Sequence, residues 1–278
     1  ALTRGASPSR GRHGLRGLRV PLGGWKGPAL AFIGLLVGTA LVAPVSVLLF
    51  WAIRGFVRGS LGTPALAALV RGLLRPAANT AWASVAAAVA AILAVAPAAF
   101  LTVRHKSVSG GLSNAVIVGG FALPGLTIAL ALAFWSVRAP GLVGVAYQGP
   151  ALLIFAYVVH FGAQALRASQ VAVAGVPLRV GEAARVLGAR RVRRLISIHL
   201  PLMTPGILAG GGLVLLSVMK ELPATLLLAP AGFQTLATKI WTAAEDGFLA
   251  DASIASLVLI ALSGVLTWLL VIRRWFRE

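Results

Sequence analysis

The sequence predicts an all-α, polytopic membrane protein with six transmembrane helices. Three observations lead there. Of 278 residues, 59% are hydrophobic, and the mean hydropathy is +0.93. Only 11% are charged, under half the roughly 25% usual in soluble domains. The apolar residues gather in long uncharged windows rather than in short alternating segments, which excludes a β-barrel pattern.

A helix needs about 20 apolar residues to cross the hydrocarbon core. Five windows supply them: residues 29–51, 80–103, 114–135, 202–219 and 252–272. A sixth, residues 151–166, is shorter and continues through Gln164, Arg167 and Gln170. Asn79-Thr80 and Ser113-Asn114 stand where helices would start, with side chains suited to capping free N–H groups. Pro44, Pro97 and Pro124 fall inside windows, and Pro124-Gly125 predicts a marked bend. Gly210-Gly211-Gly212 removes side chains from the fifth window and predicts close helix approach. Residues 1–28, rich in Arg, Gly, Ser and Pro, read as a basic flexible tail or a linker. The membrane domain is then 29–278.

The net charge is +19, from 25 Lys and Arg against 6 Asp and Glu. Nucleic acid is one partner for such a surplus. Basic residues flanking membrane spans are the simpler reading, because they set orientation. Most of them fall on the segments that lie inside if both termini are cytoplasmic. The exception is the loop carrying Arg54, Arg58, Arg71 and Arg75, which is expected on the membrane surface. There are no cysteines, which removes disulfides, thiolate catalysis and Cys-based metal sites. Four scattered histidines, His13, His105, His160 and His199, make no ligand pattern. No GxxxxGK[ST] run is present, so phosphate cradling of that kind is not expected and the chain reads as no enzyme.

The loop 176–201 between the fourth and fifth windows is unusually regular. Pro177 restarts the chain, and Glu182 is expected in the first turn of a short helix, where a carboxylate suits the helix dipole. Ala183 and Ala184 form helix well and leave room for a neighbour. Gly188 permits a turn that a Cβ would resist. A second short helix, residues 189–199, carries Arg190, Arg191, Arg193 and Arg194, with Leu195 and Ile198 on its apolar side. The bland alternative is an amphipathic loop whose arginines bind lipid headgroups.

Glu182-Ala183-Ala184, Gly188, Ile198, Leu200 and Pro201 keep the spacing of the EAA loop, and the chain resembles the permeases of ABC importers. That resemblance implies the type I importer transmembrane fold and a bacterial cytoplasmic-membrane location. It further implies that Glu182, Ala183, Ala184, Gly188, Ile198, Leu200 and Pro201 form a coupling helix for a separate nucleotide-binding ATPase. ATP and Mg would then be bound by that partner, with no cofactor in this chain. The run Lys220-Glu221-Leu222-Pro223-Ala224-Thr225 and the stretch from Phe233 to Trp241 are similar to ferric-iron permeases. Those are commonly two fused six-span halves, and this chain resembles the C-terminal one. The implied partners are the ATPase, an extracytoplasmic solute-binding protein, a second permease half and membrane lipid. Related permeases for thiamine, polyamines and phosphonates share much of the pattern.

Lys220, Glu221, Pro223, Thr225, Gln164 and Ser217 are candidates for the pathway or outer gate, because ionisable and polar groups near spans are expensive unless used. His160 is a further cavity candidate; for it, as for Gln164 and Ser217, interhelical hydrogen bonding is the simpler reading. Glu245, Asp246 and Asp251 are candidates for binding-protein docking. They follow an expected amphipathic helix at 234–244; a solvated loop with a cap for the sixth window is the simpler reading, and direct contact with a hard metal cation is a further one. No metal site is expected. A secondary transporter or channel would instead bury charged residues inside spans, and the five clear windows contain none. A membrane anchor without transport is the remaining alternative.

Overall fold

The computed structural model describes residues 23–57, 63–105, 107–138, 141 and 149–269. Among them every regular element is helical. The chain divides into two compact units, residues 1–47 and 48–278. In the first unit, a short 3₁₀ turn at Gly23–Trp25 leads into α1 (Lys26–Val37), a π turn (Gly38–Val42) and the start of α2 (Ala43–Val57). The helix therefore opens three residues before the expected window. The expected basic tail lies, as far as residue 22, outside the described residues.

The second unit holds α3 (Thr63–Arg104), α4 (Val108–Ala122), α5 (Gly125–Arg138) and α6 (Pro150–Gly175). It continues with α7 (Leu178–Val186), α8 (Arg191–Arg194), a π turn (Leu195–His199), α9 (Leu200–Met219), α10 (Pro223–Leu228), α11 (Leu236–Glu245) and α12 (Leu249–Thr267). Its core is where α3, α6 and α9 meet. Alanines of α3 (Ala83, Ala87, Ala91, Ala98) face Leu153, Tyr157 and Leu166 of α6 and Val214 and Val218 of α9, all buried. Small residues on one side and large ones on the other let the layers interdigitate.

Five helical stretches are long and apolar enough to cross a membrane: Gly23–Val57, Ala67–Arg104, Pro150–Gly175, Val192–Met219 and Leu249–Thr267. The expected third span is broken. α4 and α5 meet at 104°, so they make a sixth span only if the bent pair is taken as one. The cause is local. Leu123 is extended (φ −80°, ψ 137°), as the residue before a proline must be, and Pro124 has no N–H to continue the ladder.

Two expected helix starts are corrected. α3 begins at Thr63, so Asn79 and Thr80 lie within it and cap nothing. They serve a longer-range purpose: the Asn79 amide donates to the Gln234 carbonyl at 2.9 Å, and the Leu236 N–H donates to the Thr80 hydroxyl at 2.8 Å. α4 begins at Val108, capped by Ser107, whose hydroxyl accepts from the Gly110 N–H at 3.1 Å. Asn114, inside α4, accepts instead from the Gln170 amide of α6 at 3.0 Å.

The glycine expectation holds in its geometry. A Cβ on Gly210 would stand 2.7 Å from the Ala168 Cβ, and one on Gly206 2.6 Å from the Ala172 Cβ. The backbones of α6 and α9 therefore run almost in contact along that line.

Candidate functional site: the elbow between α6 and α9

α6 ends at Gly175, and Arg104 fixes that end. Its guanidinium donates to the carbonyls of Val173 (2.9 Å), which also accepts from the Val176 N–H at 3.4 Å, and Val176 (2.6 Å), both at the terminating end of the helix. Val173, Val176 and Met203 bury together there, with Phe100, Val103, Ala172 and Ile207 packed around them. This cluster joins α3, α6 and α9 beneath the elbow.

Pro177 (φ −61°) precedes α7. Glu182 is the fifth residue of that helix, one turn further in than expected, because α7 starts at Leu178. Gly181 and Ala184 face inward and are buried, whereas Glu182, Ala183, Arg185 and Val186 are exposed. The alanine pair is thus divided: Ala184 packs inside and Ala183 faces outward. Gly181 packs closely against the His199 ring. A Cβ there would lie 3.2 Å from the His199 Nε2, and its carbonyl accepts from the Arg194 guanidinium at 3.2 Å.

Gly188 closes the turn. Its φ is +78°, a left-handed conformation that side chains resist. The Ala189 N–H bonds the Ala184 carbonyl at 3.0 Å, and the Gly188 N–H bonds the Arg185 carbonyl at 3.0 Å. This six-to-one and five-to-two pair is a Schellman closure. It thrusts Val186 and Leu187, each 86% exposed, to the tip, with Leu178 also exposed. The same closure recurs at the end of α11. There Gly247 has φ +79°, and the Phe248 and Gly247 N–H groups bond the carbonyls of Ala243 (2.8 Å) and Ala244 (3.2 Å).

The expected second helix at 189–199 is only partly present. Ala189 and Arg190 are irregular, α8 spans Arg191–Arg194, and a π turn passes directly into α9. The π turn has a cause. Pro201 cannot donate, and its ring crowds the preceding turn. A widened turn, in which the Leu200 N–H reaches the Leu195 carbonyl, relieves that crowding. The π turn at Gly38–Val42 stands in the same relation to Pro44. Ile198 is half-buried, and Leu200 and Pro201 are exposed. All three therefore belong to the root of α9 rather than to the elbow tip.

The other candidates separate into pairs. Gln164 and Ser217 bond each other between α6 and α9 at 3.0 Å. Thr225 is fully buried, donates to the Glu221 carbonyl at 2.6 Å and pairs with the Tyr157 hydroxyl at 2.6 Å. Glu221 is half-buried, and its carboxylate accepts from the Ala224 N–H at 3.2 Å, capping α10. The same carboxylate oxygen lies 2.8 Å from where a Cβ on Gly125 would be, and the His160 Nε2 lies 3.5 Å from that point. Glu221 and His160 therefore converge on the α4–α5 break, a meeting that sequence reasoning missed because 61 positions separate them. Lys220 and Pro223 are exposed.

Glu245 and Asp246 are exposed beside Gly247, and Asp251 is half-buried in the first turn of α12, where it complements the helix dipole. Among the described residues no cluster of three or more His, Asp or Glu could hold a metal ion.

Comparison with known proteins agrees with this architecture. Residues 91–276 match the family described as "Binding-protein-dependent transport system inner membrane component". The chain is 30% identical over 230 residues to the Fe(3+)-transport system permease protein FbpB 2 of Haemophilus influenzae, a match covering 82% of this chain and 43% of that protein. It thus spans less than half the length of that relative. A 91-residue stretch is 32% identical to a Salmonella typhimurium protein, PhnV, provisionally named a 2-aminoethylphosphonate transport system permease. That match covers 33% of this chain and 34% of the relative. Among solved structures, the inward-facing MetNI methionine ABC transporter contains a chain with a TM-score of 0.56 and 16% identity. The match covers 75% of this chain and 95% of that one, and it shows a common fold. The chain belongs to the binding-protein-dependent transport inner membrane component family.

Proposed function

We propose that this member of the family is the membrane-spanning half of an ATP-driven importer, and that its elbow receives a separate ATPase subunit. The observation that carries the reading is the elbow itself. A glycine-locked turn holds Glu182, Val186 and Leu187 exposed on a base that is packed and hydrogen-bonded into three long helices. Lipid binding would use the arginines and has no need for two nearly bare aliphatic side chains beside a carboxylate. A soluble partner with an apolar groove and a rim cation fits that face.

Movement of the elbow would carry α3, α6 and α9 with it. A second permease half would complete the path, and rocking of the two halves would open it alternately to each side. An extracytoplasmic binding protein would deliver cargo, with Glu245, Asp246 and Asp251 as candidates for its docking. Both termini would lie in the cytoplasm of a bacterial cell, a reading supported by the excess of arginine on the segments that would share that side. The chain itself acts as conduit and lever, with ATP and Mg on the partner. Ferric iron is the favoured cargo, on the similarity to the Haemophilus protein over most of this chain. A phosphonate is the alternative, on the shorter Salmonella match.

The test is Gly188→Asp and Glu182→Lys in the reconstituted transporter. Both are expected to cut binding-protein-dependent uptake at least tenfold while the ATPase subunits still hydrolyse ATP. Undiminished uptake in both variants would overturn the coupling role.

A further inference from the structure

We propose that the exposed face of α3 carries a phospholipid site, with a headgroup phosphate at Arg75 and an acyl chain along the groove that follows. Two open surface depressions build it, each of about 610 Å³, the second on α3 alone. The first is a polar cleft between α3 and the loop ahead of α11, lined by Arg75, Asn79, Phe233 and Gln234 among others. The second is an apolar groove walled by Trp82, Val85, Val89 and Leu93 over a floor that includes Ala86 and Ala90.

The two depressions abut. Trp82, which lines the groove, meets Phe233, which lines the cleft, edge to face at 6.2 Å. Trp82, Ala86, Val89 and Leu93 follow Arg75 by 7, 11, 14 and 18 positions, the spacing of one helix face. At 1.5 Å per residue the groove runs about 18 Å, close to the depth of one leaflet of a core about 30 Å thick.

The cleft is held in shape before anything binds. The Asn79 amide donates to the Gln234 carbonyl and the Leu236 N–H to the Thr80 hydroxyl, so the loop is pinned to α3 on two successive helix residues. Arg75 is the one charged side chain in the lining. Arg71, one turn earlier and also exposed, adds a second cation, with its Nε held by the Ala67 carbonyl at 3.1 Å. A guanidinium matches phosphate oxygens in a fork, and an indole suits the boundary between headgroups and chains.

A lipid is favoured over a soluble acidic partner because the cation does not stand alone. Below it lies an alanine-floored channel, with Trp82 and Leu93 50% and 69% exposed, that a carboxylate side chain would leave empty. The proposal also gives Arg71 and Arg75 a purpose on a segment that runs against the charge bias of the other loops. It requires only that α3 lie in a bilayer, and it stands apart from the coupling reading.

The test is native mass spectrometry of the assembled transporter, delipidated in detergent and titrated with phosphatidylglycerol or, separately, with glycerol phosphate. One phosphatidylglycerol is expected to bind saturably. Arg75→Gln should weaken it about fivefold, the share of one basic residue at a lipid surface. Ala86→Trp, which fills the groove from its floor, should weaken it comparably, with lipid-free melting of both variants unchanged. Phosphatidylglycerol binding that ignores both substitutions would overturn the site. So would glycerol phosphate binding as tightly as the lipid and indifferent to Ala86→Trp, which would leave a bare anion cleft. Cross-linking of a soluble protein at position 75, with no lipid retained, would overturn it in favour of a docking surface.

Discussion

Gly206 is the position at which one methyl group tests the α6–α9 contact. A Cβ placed there meets the Ala172 Cβ at 2.6 Å and the Ala172 Cα at 3.3 Å. Carbon atoms pack best at about 3.5–4.0 Å, so Gly206→Ala must push the two helices apart by about 1 Å along this line. Neither partner can swing away, since both are first carbons fixed to helical backbone. Over-packing of this kind costs about 1–3 kcal/mol. Gly211 provides the internal contrast. A Cβ there would come equally close, at 2.6 Å, but to the terminal methyl of Ile92, which a rotamer change can move. Gly206→Ala is therefore expected to cost clearly more than Gly211→Ala. Ala172→Gly should restore most of the loss in the double variant. The measurement is SDS-induced unfolding of the purified protein, read as a double-mutant cycle across positions 172 and 206. A cycle that closes additively, or equal costs at 206 and 211, would refute the close-approach argument.

Gly188→Ala should destabilise the elbow by about 1 kcal/mol from backbone strain alone, because nothing lies within 4 Å of the new methyl, and Gly188→Asn by less; local hydrogen exchange at 184–189 would report both. Arg104→Met should loosen the elbow root by about 1.5–3 kcal/mol, the worth of charge-assisted bonds to the Val173 and Val176 carbonyls, and exchange at 173–176 should rise. Tyr157→Phe should cost about 0.6–1.7 kcal/mol in the same unfolding assay, as interhelical hydrogen bonds in membranes do, and Thr225→Val should not add a full second cost in the double variant. Gly125→Ala should displace the Glu221 carboxylate and lower uptake, with Glu221→Ala as the comparison; wild-type uptake in both would remove the pair from the transport cycle.

Much of this architecture was legible in the sequence where the signal is local. Gly188 follows from its need for a left-handed turn, the amphipathic helix before Glu245 from its period, and the Pro124-Gly125 bend from a missing donor. What escaped is what long-range contacts decide. The apolar window opens at residue 80, after Arg71 and Arg75, yet α3 runs back to Thr63, since a helix need not be apolar to continue. Asn79 and Thr80 look like caps in isolation and are ties to the α11 loop in the fold. Arg104 reads as a positive-inside charge, whereas its place at the elbow root depends on the end of α6, some 70 residues later. The π turn before Pro201 is likewise invisible to a helical period, which does not register a single inserted residue.

The longest consequence lies in α6, the helix that joins the elbow root to the Glu221–Thr225 turn. At its C-terminal end Val173 sits in the elbow root, and Arg104 holds its carbonyl. Sixteen residues earlier, about 24 Å away along the axis, Tyr157 is bonded to Thr225 and through it to the Glu221 turn. Between these points α6 contains no proline, and glycines of α9 bring that helix almost backbone to backbone against it at Ala168 and Ala172. A strut so placed bends little, because bending would have to open contacts that are already at minimum separation. Displacement of the elbow by a partner subunit would therefore reach the Glu221–Thr225 turn as a translation or tilt of the α6–α9 pair. The one sharp discontinuity beside that turn is the α4–α5 break at Pro124-Gly125. Of the described elements around the turn, it is the one whose own hydrogen-bond ladder is already interrupted. Under the proposed function, a rigid lever ending against a broken helix would suit a gate at that end.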